Sequence, residues 1–319
     1  MKMKWGLIGF LFTGLVNGQA WSAEQTFSVG SKAAPLTQEG GTSRAMSMGS
    51  AFVGVAEGSE ALLWNPAGLA YLSEKEIGFH HTSGIGDSIR EIGIFGTPVR
   101  SLGGFAASLD AVSNGSFEGR DQLGNQTGNY HAGDLGANLG WGKNIVPGFA
   151  VGAAVKTNHQ YLAGSTYSAY AADLGLLWNP FSTFKFGATY ANLNIANSYS
   201  QYALDSAWHI GASYRLIHPL LVAMAGELQP GGVNRIQLGG EYTYNALIAI
   251  RGGYQFNYPN ADLSGTTGFT LGAGFHLLKH IDLDYAFVPE GDLGAAQRIS
   301  VIYKFGCAEP SKLIMKIKP

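Results

Sequence analysis

Between Ile281 and Phe287 the chain alternates strictly, with Ile281, Leu283, Tyr285 and Phe287 on one parity and Asp282, Asp284 and Ala286 on the other. A period of two places these sets on opposite faces of one strand. The pattern recurs in Trp208, Ile210, Ala212, Tyr214 and Leu216 against His209, Gly211, Ser213 and Arg215. It recurs again in Ile248, Ile250, Gly252, Tyr254 and Phe256 against Ala249, Arg251, Gly253 and Gln255. Phe184 to Tyr190 and Ile299 to Phe305 repeat it. One face is apolar, with aromatics toward its ends, and the other is small or charged. The polar face of a water-soluble sandwich is richly charged, whereas these faces are full of glycine and alanine. That is the pattern of a membrane barrel, apolar toward lipid and small or polar inside.

The composition agrees. Only 13% of the residues are charged, about half the usual share, and 46 are glycine, about twice it. No run after residue 20 is long and apolar enough for a membrane helix. A net charge of −2 provides no electrostatic footprint for nucleic acid. The single cysteine, Cys307, excludes an internal disulfide. Residues 1–22 read as a secretory signal, with Lys2 and Lys4, an apolar run from Trp5 to Val16 and cleavage after Ala20 or Ser22. The alternative is a membrane anchor, which the short apolar run and its small, polar flank disfavour. The mature chain is therefore expected in a Gram-negative type outer membrane, in contact with its lipid.

Fourteen candidate strands are centred near residues 79, 93, 106, 137, 152, 173, 187, 211, 224, 239, 251, 273, 284 and 301. Their connections alternate between longer and tight. Val112 to His131, Asn158 to Ser168 and Asn192 to Asp205 are among the longer ones, and Asn144 to Gly148, Asn179 to Ser182 and His218-Pro219 among the tight ones. With a periplasmic N-terminus every longer connection falls on the outer side, the asymmetry of outer-membrane barrels. The predicted fold is all-β, a transmembrane antiparallel β-barrel of about fourteen strands over residues 75–305, with 306–319 as a periplasmic tail. A barrel of that size has a bore too wide for small side chains to fill. Either it is open, or residues 23–74 plug it as a hatch of short helical turns. In that segment Ser59 is expected to cap one or two helical turns that Pro66 ends.

Asp173, Lys185, His209, Arg215, Glu241, Arg251, Asp282 and Asp284 fall on predicted inner faces and are the candidate lumen-lining residues. They form either a network that sets selectivity or grips the hatch, or mutually neutralising charges in a wet lumen. Asp282 and Asp284 share a face, but nothing in their spacing implies a substrate cleft, so no catalytic residue is expected. His80-His81, His209 and His276 lack the spacing of a metal site. Gly136 to Lys143 misses a phosphate loop, with Asn144 where a hydroxyl is required. No cofactor and no nucleic-acid partner is expected. Leu63-Trp64-Asn65-Pro66 has a near copy at Leu177-Trp178-Asn179-Pro180, read as an ordinary strand-end turn with an interfacial aromatic.

Two stretches carry a resemblance. The first is Arg44-Ala45-Met46-Ser47-Met48-Gly49-Ser50-Ala51-Phe52-Val53 followed by Trp64-Asn65-Pro66-Ala67-Gly68-Leu69. The second is Gly148 to Lys156 followed by Ala172 to Leu177. On these residues the chain, from Gly40 to Phe305, resembles the PorV/PorQ-type outer-membrane proteins, which are related to the FadL family of long-chain fatty-acid transporters. The resemblance implies a hatch inside the barrel, with Trp64, Asn65, Pro66, Ala67 and Gly68 as its motif. It implies one of two activities. One is passage of a hydrophobic or small-molecule ligand across the outer membrane. The other is handling of secreted cargo, with secretion-system proteins as partners. Phe305 supplies the aromatic on which such barrels end, although Gly306 to Pro319 follow it.

Overall fold

The computed structural model describes residues 40–307 apart from 199–203, 205, 218, 230–234, 257–266 and 278–279. The expected signal peptide, the hatch residues before Gly40 and the tail beyond Cys307 lie outside the described residues.

All fourteen predicted strands are present and form one closed antiparallel barrel. They are β1 (Glu74–Ser83), β2 (Ile89–Val99), β3 (Gly103–Arg120), β4 (Gln126–Val146), β5 (Phe149–Leu162), β6 (Ser165–Phe181) and β7 (Phe184–Asn197). The second half comprises β8 (Ala207–Ile217), β9 (Leu220–Leu228), β10 (Arg235–Tyr244), β11 (Ile248–Phe256), β12 (Phe269–Leu277), β13 (Ile281–Pro289) and β14 (Ala295–Cys307). Each strand pairs with its neighbours in sequence, and β1 closes the ring against β14 from Glu74↔Cys307 to Ser83↔Gln297. The end where β1 begins and β14 ends is the near end; the opposite end is the far end.

Parity sorts the side chains. Leu109, Leu139 and Ile250 stand on the outer surface with more than half their area exposed, while Ala249, Ala286 and Ser300 on the other parity are buried. Aromatic pairs sit toward the strand ends: Tyr254 with Phe256, Tyr303 with Phe305, and Tyr190 with Trp208. A continuous apolar exterior flanked by aromatics suits lipid, and strands of nine or ten residues, as in β9 to β13, match the length needed to span a bilayer.

The connections differ from expectation on one side. Val112 to His131 is mostly strand: β3 runs on to Arg120, β4 starts at Gln126, and only residues 121–125 separate them. Beyond Ser113, which faces Ile89, β3 has no partner in β2, so Ser116 to His131 is a two-stranded ribbon, joined to the β5–β6 turn at its base where the Ala163 N–H donates to the His131 carbonyl (3.3 Å). Likewise β5 and β6 meet at Ala163-Gly164, where φ is positive at both residues, as a type I′ hairpin requires. The sequence signal fails here because a ribbon standing beyond the rim has no buried face and so shows no apolar alternation.

Candidate functional site

Residues 40–72 lie against the inward faces of the strands. They comprise a short helix α1 (Ser43–Ser47), turns through Val55, and two 3₁₀ turns over Ser59–Leu63 and Pro66–Tyr71. Ser59 is the first residue of its turn and not the cap, which is Gly58; the Ser59 N–H is taken instead by Glu76 Oε2 at 2.6 Å. Pro66 does stop that turn, but it also opens the next one. Its ring occupies the first position, where no N–H is needed, and Asn65 is the cap.

The glycines of the inner face are seats for this segment. A Cβ on Gly104 would lie 1.9 Å from the Leu69 carbonyl oxygen, one on Gly152 would lie 2.2 Å from the Ala67 nitrogen, and one on Gly253 would lie 2.1 Å from the Gly49 nitrogen. Any side chain there would displace backbone. Backbone therefore packs directly on the wall, and polar groups follow it in. Asn65, fully buried, donates through Nδ2 to the carbonyls of Val53 (3.1 Å) and Leu176 (3.0 Å), and its Oδ1 accepts from the Ala67 N–H (3.2 Å). This one side chain ties the two halves of the segment to each other and to β6. Pro66, Ala67 and Gly68 are buried beside it; Trp64 is half-buried, donating to Thr42 Oγ1 at 3.2 Å and meeting Phe52 edge-on.

An alternating row of charges connects segment and wall. Lys185 of β7 meets Glu57 (3.1 Å), Glu57 meets Arg44 (2.9 Å), and Arg44 grips Glu241 of β10 through Nε (2.9 Å) and Nη2 (3.0 Å). Glu241 also accepts from Arg251 Nε of β11 (2.7 Å), whose Nη1 reaches Asp284 of β13 (2.5 Å). Burial raises the Glu57 carboxyl, but Arg44 and Lys185 outweigh it and hold the group at about 2. Glu60 is different. It is buried, its Oε1 has no hydrogen-bond partner, and His80 Nδ1 is 3.8 Å away. Burial first, and then the nearby Asp284, push its carboxyl up to about 8, so it is held as the neutral acid at neutral pH. Hydrogen bonds complete the contact: the Gly49 N–H donates to Thr270 Oγ1 (3.0 Å), and the Ser43 N–H to Ser300 Oγ (3.1 Å).

The eight lumen candidates thus divide. Lys185, Glu241, Arg251 and Asp284 belong to the row that holds residues 40–72. Asp173 binds Lys156 (2.6 Å) and accepts the Asn192 N–H (2.9 Å), at a register shift in the β6–β7 pairing. Asp282 binds His276 and Lys304, each at 2.7 Å, on the wall at the near end. His209 is half-buried on the inner parity of β8, and Arg215 is exposed near that strand's near end. Sequence reasoning missed Arg44, Glu57 and Glu60, whose partners are far along the chain, and also the Arg90–Asp110 pair of β2 and β3. Alternation in β2 and β3 puts Arg90 and Asp110 on the inner parity and could have found them. Among the described residues no group of three or more side chains could hold a metal. The Trp178 copy of the motif points outward at the near end of β6.

Toward the far end, a cavity of about 310 Å³ opens between β1 to β4, β14 and the residues that follow β13. Its wall includes Thr82, Arg90, Val112, Asp134, Glu290 and Arg298. Gly41 packs so closely on Arg90, one of its lining residues, that a Cβ would lie 3.0 Å from the guanidinium carbon.

No family model matches the chain, and no curated protein matches it. Solved structures do. The toluene transporter TodX of Pseudomonas putida superposes with a TM-score of 0.58 at 13% identity, covering 82% of this chain and 96% of that one. The toluene transporter TbuX of Ralstonia pickettii gives 0.57 at 16% identity, covering 83% and 98%. A Pseudomonas aeruginosa FadL homologue gives 0.52 at 12% identity, also covering 83% and 98%. The chain therefore shares its closed barrel fold with these three proteins.

Proposed function

We propose that the chain is an outer-membrane channel of the FadL type that passes hydrophobic or other small molecules, and that residues 40–72 are its hatch. The observation that carries this reading is a bore occupied by a separate segment, seated on glycines and held by ion pairs, beneath a cavity open toward the far end. Wall side chains that filled the bore would make a rigid pillar; a held segment can be displaced. The fold likeness to toluene transporters supports hydrocarbon-sized cargo. In this reading Trp64, Asn65, Pro66, Ala67 and Gly68 form the joint of the hatch, Arg44, Glu241 and Arg251 its latch, and residues 1–22 direct export. Entry of labelled toluene into vesicles with a lipopolysaccharide outer leaflet tests it. Entry should be faster with the protein than without; equal rates would overturn the proposal.

A second reading rests on the ribbon from Ser116 to His131. Its Phe117, Leu123 and Tyr130 are exposed, Leu123 by 86%, beyond the rim of the barrel. Exposed apolar residues on a projecting ribbon favour a protein contact, as expected for a PorV-type secretion component binding exported cargo. Crosslinking in whole cells should then capture an exported protein or secretion component with the intact chain and lose it when residues 116–131 are replaced by a short turn. Equal capture by both would remove this reading.

A further inference from the structure

Residues 40–72 carry two acids, Glu57 and Glu60, and only Glu57 belongs to the charged row. That row is balanced: Lys185, Arg44 and Arg251 are met by Glu57, Glu241 and Asp284. Glu60 lies near it, and Arg44 and Arg251, which attract it from there, are already bonded to other carboxylates. Its carboxyl is buried and its Oε1 has no hydrogen-bond partner; His80 Nδ1, 3.8 Å away, is engaged with Ser300 Oγ at 2.7 Å. The strands against which the Ser59–Leu63 turn packs, β1 to β4, add no counter-charge. On β1 the inward groups are His80 and Glu76, which takes the Ser59 N–H. Arg90 of β2 is bound by Asp110 of β3, and Asp134 of β4 accepts from Asn158 Nδ2 at 3.4 Å. The adjoining Pro66–Tyr71 turn has only the phenol of Tyr71, and Lys304 of β14 is bound to Asp282. An ionised Glu60 would be a further carboxylate near Asp284 and Glu76, and at neutral pH and above an ordinary imidazole is mostly uncharged and cannot offset it. The same turn carries two contacts with the wall. Ser59 packs on Gly96 of β2 and Leu62 on Gly140 of β4, so closely that a Cβ on these glycines would lie 2.8 Å and 2.4 Å from them. Whatever expels Glu60 pulls on both.

We propose that Glu60 is a proton-operated gate: with its proton it lets the Ser59–Leu63 turn lie against β1 to β4, and without it the turn leaves the wall and opens a path through the bore. The proposal rests on the reading of residues 40–72 as a displaceable hatch and names what displaces it. The sign follows from the two forms. The closed form keeps the proton up to about 8, whereas a released, solvated carboxyl loses it at its ordinary 4.5. Between these limits release frees a proton, so the ratio of released to closed chains grows by up to roughly tenfold per pH unit, and above the upper limit it levels off. Rising pH opens the gate.

Planar-bilayer recordings of the purified full-length protein between pH 5 and pH 9 test it. The fraction of time spent open should rise at least tenfold from pH 5 to pH 8 and change little from there to pH 9. Glu60→Gln, neutral and of the same shape, should stay at the low-pH level throughout. A heat-modifiable shift on electrophoresis establishes that this variant is folded, and the profile of the unaltered protein needs no variant. An open fraction that does not change with pH in the unaltered protein, or a rise that persists in Glu60→Gln, would overturn the inference. Entry of labelled toluene into vesicles separates the two ways of failing. Entry above the protein-free rate at every pH leaves the channel reading standing and removes only the gate, whereas entry at the protein-free rate removes both.

Discussion

The two halves of the inner segment each pack on an apolar cluster, but only the first adds a row of ion pairs to the wall. Residues 43–57 pack Met48, Phe52 and Val55 in a cluster with Leu221, Ala223 and Ala225 of β9, and also meet β7 and β10 to β14 through the charged row and through hydrogen bonds such as Gly49 to Thr270. Residues 59–72 meet β2 to β6 mainly through an apolar cluster in which Leu62, Leu69, Ala67, Ala150, Ala154 and Leu177 are buried. Asn65 links the two through its bonds to Val53 and Leu176. An apolar contact loses little when pH or salt changes, whereas a charged contact depends on the protonation of every member. In the proposed reading, the half with the ion pairs is the one whose hold on the wall responds to salt.

Arg251→Ala is the strongest way to break this contrast. It leaves Glu241 and Asp284 buried without their shared cation, at a cost of about 3–5 kcal/mol. A lower unfolding midpoint and higher conductance in planar bilayers are expected; unchanged conductance would show that the charged row holds nothing in place. Leu69→Ala should cost about 2–5 kcal/mol by opening a cavity on the other side, with a destabilisation that does not change between low and high salt. A salt-dependent loss there would blur the distinction. Asn65→Ala removes two donated bonds and a turn cap, for about 1–3 kcal/mol, and couples the halves; a double-mutant cycle with Leu69→Ala should depart from additivity.

Smaller effects come with pH. Glu60 binds a proton in the native state up to about 8, against 4.5 as its ordinary value, so between these limits the folded protein holds a proton that the unfolded chain has lost. Its contribution to stability is complete below 4.5 and is lost as pH rises through 8. Unfolding by denaturant at pH 6 and pH 9 should show the loss, and Glu60→Gln should flatten it. Glu57 works in the opposite sense. Held at about 2, it stabilises above 4.5 and loses that contribution as pH falls toward 2, and its partial exposure keeps the effect small.

How much of this was legible depends on how far each interaction reaches. Strand number and facing follow from a period of two, which is local, so Ile281 to Phe287 and Ile248 to Phe256 show their faces directly. The charged row does not, because Arg44 meets Glu241 across 197 positions and nothing near either residue marks the other. The inner glycines could be read as a merely small lining, and only the position of the Leu69 carbonyl against Gly104 shows that they are fitted to a backbone. The rim ribbon was hidden for the opposite reason, since water on both faces leaves no pattern to read.

The seating of Ser43 against Ser300 has a consequence for the order of assembly. These residues are 257 positions apart, and Ser300 lies on β14, the strand that closes the ring against β1. Ser43 cannot find its partner until the final strand exists, and once the ring is shut the segment has no side door through which to enter. The early segment must wait, carried along with the growing sheet, and be enclosed as the seam zips. Contacts this remote in sequence make for slow closure, and the seam between β1 and β14 would be the step at which a misplaced segment stalls the whole barrel.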